Sequence, residues 1–188
     1  MKKIIIALAT TAALAAAAAP AHAEGFRAEI HGGWDHVSAN DDGKSGLVYG
    51  IGAGYDFDIG RNVELGVDLS ADLASTDECV GSALVLNDLA CIEAKRDLAA
   101  ALRLGYKVSP NGTIYALAGY TNARFQFEYT TPAGVTTRDS GNLDGLRVGA
   151  GYQHGFGEKA YGKIEYRYSN YEADVSRHQV LLGVGVKF

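Results

Sequence analysis

Proline is nearly missing from this 188-residue chain, with three residues in all. Cysteine occurs twice, and methionine and tryptophan once each. Two cysteines exclude a disulfide-dense scaffold. After the first twenty positions no apolar run approaches the roughly 20 residues that a membrane-spanning helix needs, which excludes a helical membrane protein. Positive charge is also in deficit. Lys and Arg number 17 against 22 Asp and Glu, a net charge of -5 that would repel nucleic-acid phosphate. What the chain does have is 24 Gly and 11 Tyr, within a composition that is 47% hydrophobic and 21% charged. That balance belongs to a folded chain rather than a disordered one, and the Gly and Tyr point to many β-strands.

The N-terminus reads as an address. Lys2 and Lys3 precede an apolar tract from Ile4 to Ala19, and Pro20-Ala21-His22-Ala23 ends in a small-residue cleavage pattern carried by Ala21 and Ala23. This is the form of a secretory signal peptide covering 1–23, cut before Glu24, with one domain over 24–188. Glu24 rather than Cys stands directly after the cut, so a lipid anchor is not expected. Export makes Cys79 and Cys91 readable as a disulfide. Closing that loop would restrict the unfolded chain by about 3 kcal/mol in the chain-entropy view. Zinc would need further ligands nearby, and no ligand set is evident.

From Phe26 onward the dominant pattern is period two, the mark of strands with unlike faces. Eight runs can be read. Apolar faces carry Phe26, Ala28, Ile30 and Trp34; Leu47 through Phe57 at odd positions; Val63 through Ala71 at odd positions; and Leu98 through Tyr106 at even positions. The fifth run sets Tyr115, Leu117, Thr121, Ala123, Phe125 and Phe127 against Asn122, Arg124, Gln126 and Glu128. The last three show Leu146, Val148, Ala150, Tyr152 and Phe156; Ile164, Tyr166 and Tyr168; and Val180 through Phe188 at even positions. Pro110 and Pro132 both fall between runs, where proline is tolerated. Long connections near 37–46, 73–95, 130–142 and 171–178 alternate with short ones near 58–62, 109–112 and 156–160. A soluble sandwich does not need that alternation, whereas a membrane barrel with short turns at one end and long loops at the other does.

Mid-strand charges sit on one face only: Arg27, Glu29, Glu64, Asp68, Arg103, Arg147, Lys163, Glu165 and Arg167. Aromatic residues gather toward the strand ends. Phe26, Tyr55, Phe57, Tyr106, Tyr115, Tyr152, Phe156 and Phe188 fall at one rim, and Trp34, Tyr49, Phe125, Phe127, Tyr166 and Tyr168 at the other. Two aromatic girdles around an apolar band are expected when the apolar face meets lipid. The fold class expected is therefore all-β: an eight-stranded antiparallel transmembrane β-barrel. Closure satisfies every backbone group inside the bilayer.

Leu143-Asp144-Gly145-Leu146-Arg147-Val148-Gly149-Ala150-Gly151-Tyr152 and Lys163-Ile164-Glu165-Tyr166-Arg167-Tyr168 resemble the small eight-stranded outer-membrane barrels of the opacity and "porin family" type. That group is related in shape to the OmpA transmembrane domain and to OmpX. The ending Gly183-Val184-Gly185-Val186-Lys187-Phe188 is similar to the C-terminal signal read by the barrel-assembly machinery, with Gly183, Val186 and Phe188 at its glycine and apolar positions. The resemblance implies a Gram-negative outer membrane, with its lipid and lipopolysaccharide as surroundings.

Eight strands leave an interior just wide enough for side chains. The expectation is a lumen network of Glu29, Glu64, Asp68, Arg103, Arg147, Lys163, Glu165 and Arg167, with Arg124 also inward and Gly50, Gly52, Gly54, Gly149, Gly151, Gly183 and Gly185 making room. Its charges must pair, because an unpaired buried charge is costly. A gated ion path is the competing reading. His31 is expected inward and alone. Asp41, Asp42, Asp77, Glu78, Glu172 and Asp174 make the loops acidic, and Val80 to Leu86 offers an apolar contact segment. His36 with Ser38 and Ser176 with His178 form no recognisable triad. The function expected is a non-catalytic surface protein serving envelope integrity, adhesion or shielding. A small-solute or ion pore is the alternative, and an outer-membrane lipid-modifying enzyme the second. The chain is expected to be a monomer, with an external ligand possible at its loops, and without nucleic acid, cofactor or metal.

Overall fold

The computed structural model describes residues 25–39, 42–75, 77–81, 89–172 and 174–188. The elements are β1 (Phe26–Ala39), β2 (Asp42–Asp58), β3 (Val63–Ala74), β4 (Asp77–Gly81), β5 (Leu89–Ser109), β6 (Gly112–Thr130), β7 (Thr136–Phe156), β8 (Ala160–Tyr171) and β9 (Val175–Lys187). All pairings are antiparallel, in the order β3-β2-β1-β9-β8-β7-β6-β5-β4, and β3 also pairs with β5. That extra pairing closes the sheet into an eight-stranded barrel. β3 and β4 share one place in the wall: β3 runs beside the lower part of β5, from Val63↔Tyr106 to Leu73↔Arg96, and β4 beside its upper part, from Asp77↔Glu93 to Gly81↔Leu89. The two chain ends meet at the closing seam. Phe188 N–H donates to Phe26 O at 2.9 Å, and the two rings lie 5.7 Å apart.

The expected inversion of faces is present. Leu146 is 72% exposed and Leu182 64%, while Arg103 and Glu165 are 1% exposed and Asp72 likewise. Apolar side chains point out and charged ones point in, the opposite of a soluble barrel.

Two sequence expectations need correction. The first concerns the connections. The segments read as long loops are mostly strand. β6 and β7 remain paired up to Thr130↔Thr136, and their tip is a tight turn in which Thr131 N–H donates to Val135 O at 2.9 Å. Gly134 in this turn has φ 81° and Gly157 in the β7–β8 turn has φ 74°, a region where a Cβ is strained. The second concerns the fifth run, whose faces are reversed. Tyr115, Leu117, Thr121 and Ala123 are buried inside, whereas Ile114 and Tyr120 face out and Arg124 is exposed. Tyr115 therefore leaves the lower girdle, and Arg124 leaves the lumen. The physical reason is that β6 is apolar on both faces, so alternation alone did not say which side met lipid.

The strands do not end at one height. β7 stops pairing with β8 at Gly145↔Tyr171, but continues against β6 to Thr136. With β5 and β4 beside it, the upper end carries a four-stranded blade, β4-β5-β6-β7, that rises above β8 and β9.

Candidate functional site

Inward side chains fill the barrel in three tiers. At the bottom, Arg27 Nε lies 3.0 Å from Asp56 Oδ2, and a second nitrogen of Arg27 pairs with Asp68. Arg103 reaches Asp56 at 3.4 Å, Glu64 at 3.7 Å and Gln153 Oε1 at 3.2 Å, and its guanidinium sits 3.9 Å over the Tyr115 ring. In the middle, Lys163 Nζ bridges Glu29 at 2.5 Å and Glu165 at 3.2 Å. The Tyr161 hydroxyl donates to Glu29 at 2.9 Å, and the Tyr115 hydroxyl to Glu165 at 2.6 Å. Arg167 pairs with Glu165 and reaches Asp72 at 3.0 Å. At the top, Asp97 is the hub. It accepts from Arg147, from Thr121, from Arg177 at 3.0 Å and from the Tyr171 hydroxyl at 2.7 Å. Arg177 also grips Asp35 through two nitrogens at 2.6 and 3.0 Å.

Large side chains fit because glycines stand opposite them. The register sets Arg27 against Gly54, Glu29 against Gly52 and Lys163 against Gly183. A Cβ on Gly52 would meet the Glu29 carboxylate at 2.8 Å, and one on Gly54 would meet Arg27 Nη2 at 2.6 Å. A cavity of about 20 Å³ between Arg27, Lys163, Arg147 and Arg167 has room for roughly one water molecule.

All eight residues of the expected network face the lumen: Glu29, Glu64, Arg103, Arg147, Lys163, Glu165 and Arg167 are buried, and Asp68 is half-buried. His31 is inward but not alone. Its Nε2 is 2.5 Å from Asp72 and its Nδ1 3.3 Å from Glu29, so it joins two acids of the middle tier, and Arg147 at 3.5 Å from Asp72 ties that tier to the top one. Sequence reading left out Arg27, Asp35, Asp56, Asp72, Asp97 and Arg177 as members. The first five lay on polar faces and could have been added by parity. Arg177 lay in a stretch taken for a loop. The lumen tyrosines Tyr115, Tyr161 and Tyr171 carried no sequence signal separating them from girdle residues.

Elsewhere the placements are mixed. Cys79 stands directly opposite Cys91 in the β4–β5 register, so their segment is a hairpin arm rather than a loop, and no cysteine among the described residues is free. Gly183 lies inward beneath Lys163, Val186 faces Ala28 across the seam, and the Phe188 ring packs at a tilt against Phe26. His36 bonds to Ser45 at 2.9 Å rather than to Ser38, and His178 to the Tyr166 hydroxyl at 2.7 Å rather than to Ser176. Among the described residues neither imidazole has a carboxylate partner, so no triad forms. Glu172 and Asp174 are exposed, whereas Asp41 and the side chains of Asp42, Asp77 and Glu78 lie outside the described residues. So do residues 82–88, which hold most of the apolar contact segment, and residues 1–24, with Ala21 and Ala23. On the blade, Arg138 Nε donates to Glu128 at 2.8 Å, and this guanidinium holds the Glu128 carboxyl below its ordinary range.

The profile of the outer membrane protein β-barrel domain family matches residues 5–188. Among solved structures, Ail, the attachment invasion locus protein of Yersinia pestis, superposes with TM-score 0.59 at 16% identity, covering 88% of this chain and 99% of that one. Neisserial surface protein A superposes with TM-score 0.58 at 16% identity, over 87% and 97% of the two chains. A major outer membrane protein of Thermus thermophilus gives TM-score 0.50 at 13% identity, over 87% and 99%. At these identities the likeness concerns the fold. No curated protein matches the chain.

Proposed function

Because the chain belongs to the outer membrane protein β-barrel domain family, we propose that it is an integral surface protein of the Gram-negative outer membrane, in which the barrel is a closed anchor and the upper hairpins make the contacts that serve envelope integrity or adhesion. The observation that carries this reading is the lumen. Paired charges occupy three levels of the axis and join strands that are not neighbours in the wall: Arg103 of β5 with Asp56 of β2, Arg167 of β8 with Asp72 of β3, and Arg177 of β9 with Asp97 of β5. A pore needs a continuous wet path, and aqueous channels are typical of 16–18 strands. The blade β4-β5-β6-β7 supports the surface role, since it stands above the apolar belt where an external partner can reach it.

The signal segment, the Cys79–Cys91 bridge and the reading of Gly183, Val186 and Phe188 by the assembly machinery belong to the same proposal, as does a monomeric, cofactor-free state. Reconstitution into planar bilayers tests the closed anchor. The expected outcome is rare, small current steps and no uptake of a disaccharide into liposomes. Steady nanosiemens openings would replace the anchor reading with the pore.

A further inference from the structure

Just above the lipid-facing band, two arginines face each other. Arg96 on β5 and Arg124 on β6 are direct partners in the strand register, and both are exposed on the outer side of the wall. Like charges directly opposite across an antiparallel pair destabilise it. Nothing acidic among the described residues relieves them. Arg124 Nη2 donates to the neutral Ser140 Oγ at 2.9 Å. Two described carboxylates of the neighbouring β6–β7 surface bond elsewhere: Asp144 accepts from the Tyr120 hydroxyl at 2.5 Å and Asn122 Nδ2 at 2.6 Å, and Glu128 accepts from Arg138. The register also shifts between Ala94 and Arg96, inserting Lys95, which is exposed as well.

The height of the pair is informative. Leu98, two residues below Arg96, points outward, and so does Leu73, the partner of Arg96 on β3. Tyr120 lies four residues below Arg124 on the same face. Two residues of strand span about 7 Å. The guanidinium groups therefore lie at the upper edge of the apolar band, level with Leu73 and about 7 Å above Leu98, the height at which lipid headgroups present their phosphates.

We propose that Arg96 and Arg124 form a binding site for a phosphate group of an outer-leaflet glycolipid, held between the two guanidinium forks on the outer face of β5 and β6. The inference rests on the outer-membrane reading above. Arginine suits the task because its planar donors match phosphate oxygens in pairs, and a bridging dianion turns the repulsion into two attractive contacts. The Ser140 hydroxyl steadies Arg124 from above, and Lys95 adds charge at the rim.

The test uses the full-length protein folded in detergent micelles, titrated with bis-phosphorylated lipid A and with its dephosphorylated form, and read by native mass spectrometry. The wild type is expected to retain the phosphorylated lipid at least tenfold more tightly. An Arg96→Gln/Arg124→Gln double variant should lose that preference, and Arg138→Gln should keep it. A second readout is the temperature at which the folded gel band disappears. Without lipid the double variant should match or exceed the wild type, because a repulsion is gone; with phosphorylated lipid only the wild type should shift upward. Equal retention by the double variant, or no preference for the phosphorylated lipid in the wild type, overturns the proposal. Displacement of the lipid by equimolar inorganic phosphate would also overturn it, by making the site one for free anions. A wild type with no heat-modifiable band refutes the membrane reading and this site with it; a folded band without phosphate preference refutes the site alone.

Discussion

Removing one charge from the lumen leaves its partner behind. Arg167 serves two acids, Glu165 and Asp72, so Arg167→Ala takes a cation from both at once and leaves Glu165 to Lys163 and Asp72 to His31 and Arg147. The expected cost is about 3–5 kcal/mol, the usual penalty for breaking a buried pair from one side. Tyr115→Phe removes one hydroxyl from Glu165, which keeps its cations, and should cost about 1–3 kcal/mol. Urea unfolding in lipid vesicles, followed by tryptophan fluorescence from Trp34, measures both. A Tyr115→Phe loss equal to or larger than that of Arg167→Ala would show that the tiers are not held by charge. At this scale the sequence was legible where the two faces differed in kind. Glu29 and Arg103 could be assigned inward because Ile30 and Leu102 beside them are plainly lipid-facing. Tyr115 could not, because Ile114 and Ala116 flank it and both faces of β6 look apolar. Its position is decided by a guanidinium from another strand, a contact that spacing does not encode.

The elements differ most from expectation at the upper end. Thr136–Asn142 was read as connection because Gly141 and a run of polar residues interrupt the apolar alternation, yet it is strand. Above the lipid band both faces of a strand meet water, so the hydrophobic period has no reason to persist. Backbone pairing with β6 continues regardless. The same holds for β4, whose five residues replace β3 beside the top of β5. With Cys79 opposite Cys91, a bridge there would clamp the edge strand of the blade to its neighbour. Alkylation of unreduced, denatured protein should therefore add no label by mass, and two labels per chain would show free thiols. Reduction should leave the barrel folded while exposing β4 to protease, since the lower wall is closed by β3 alone.

For the whole molecule, closure is the main property, and it could be read from pattern alone: alternation, girdles and the long–short rhythm of connections all required it. The number of strands in the wall was read correctly. That one of them is broken into β3 and β4 was not, because β4 begins on the polar run Ser75-Thr76-Asp77-Glu78 and falls inside the stretch 73–95 read as a connection. A closed barrel should resist detergent until heated, so the unboiled protein should migrate faster on a gel than the boiled one. Deleting Phe188 removes a ring from the seam and one backbone bond to Phe26, and should lower the yield of the fast band. Equal mobility before and after boiling would contradict closure, and an unchanged yield without Phe188 would show that the last residue plays no part in assembly.

The unequal height of the strands has a mechanical consequence. β5, β6 and β7 run without a break from the blade tip into the barrel wall, and their cross-strand bonds lie perpendicular to them. A pull on the tip along the strand axis therefore loads many bonds side by side in shear, instead of opening them one after another as in unzipping. The turn around Gly134 is the blade tip, and the lower half of each strand is the footing. A contact made at that tip would yield at its own surface before the tether behind it tears.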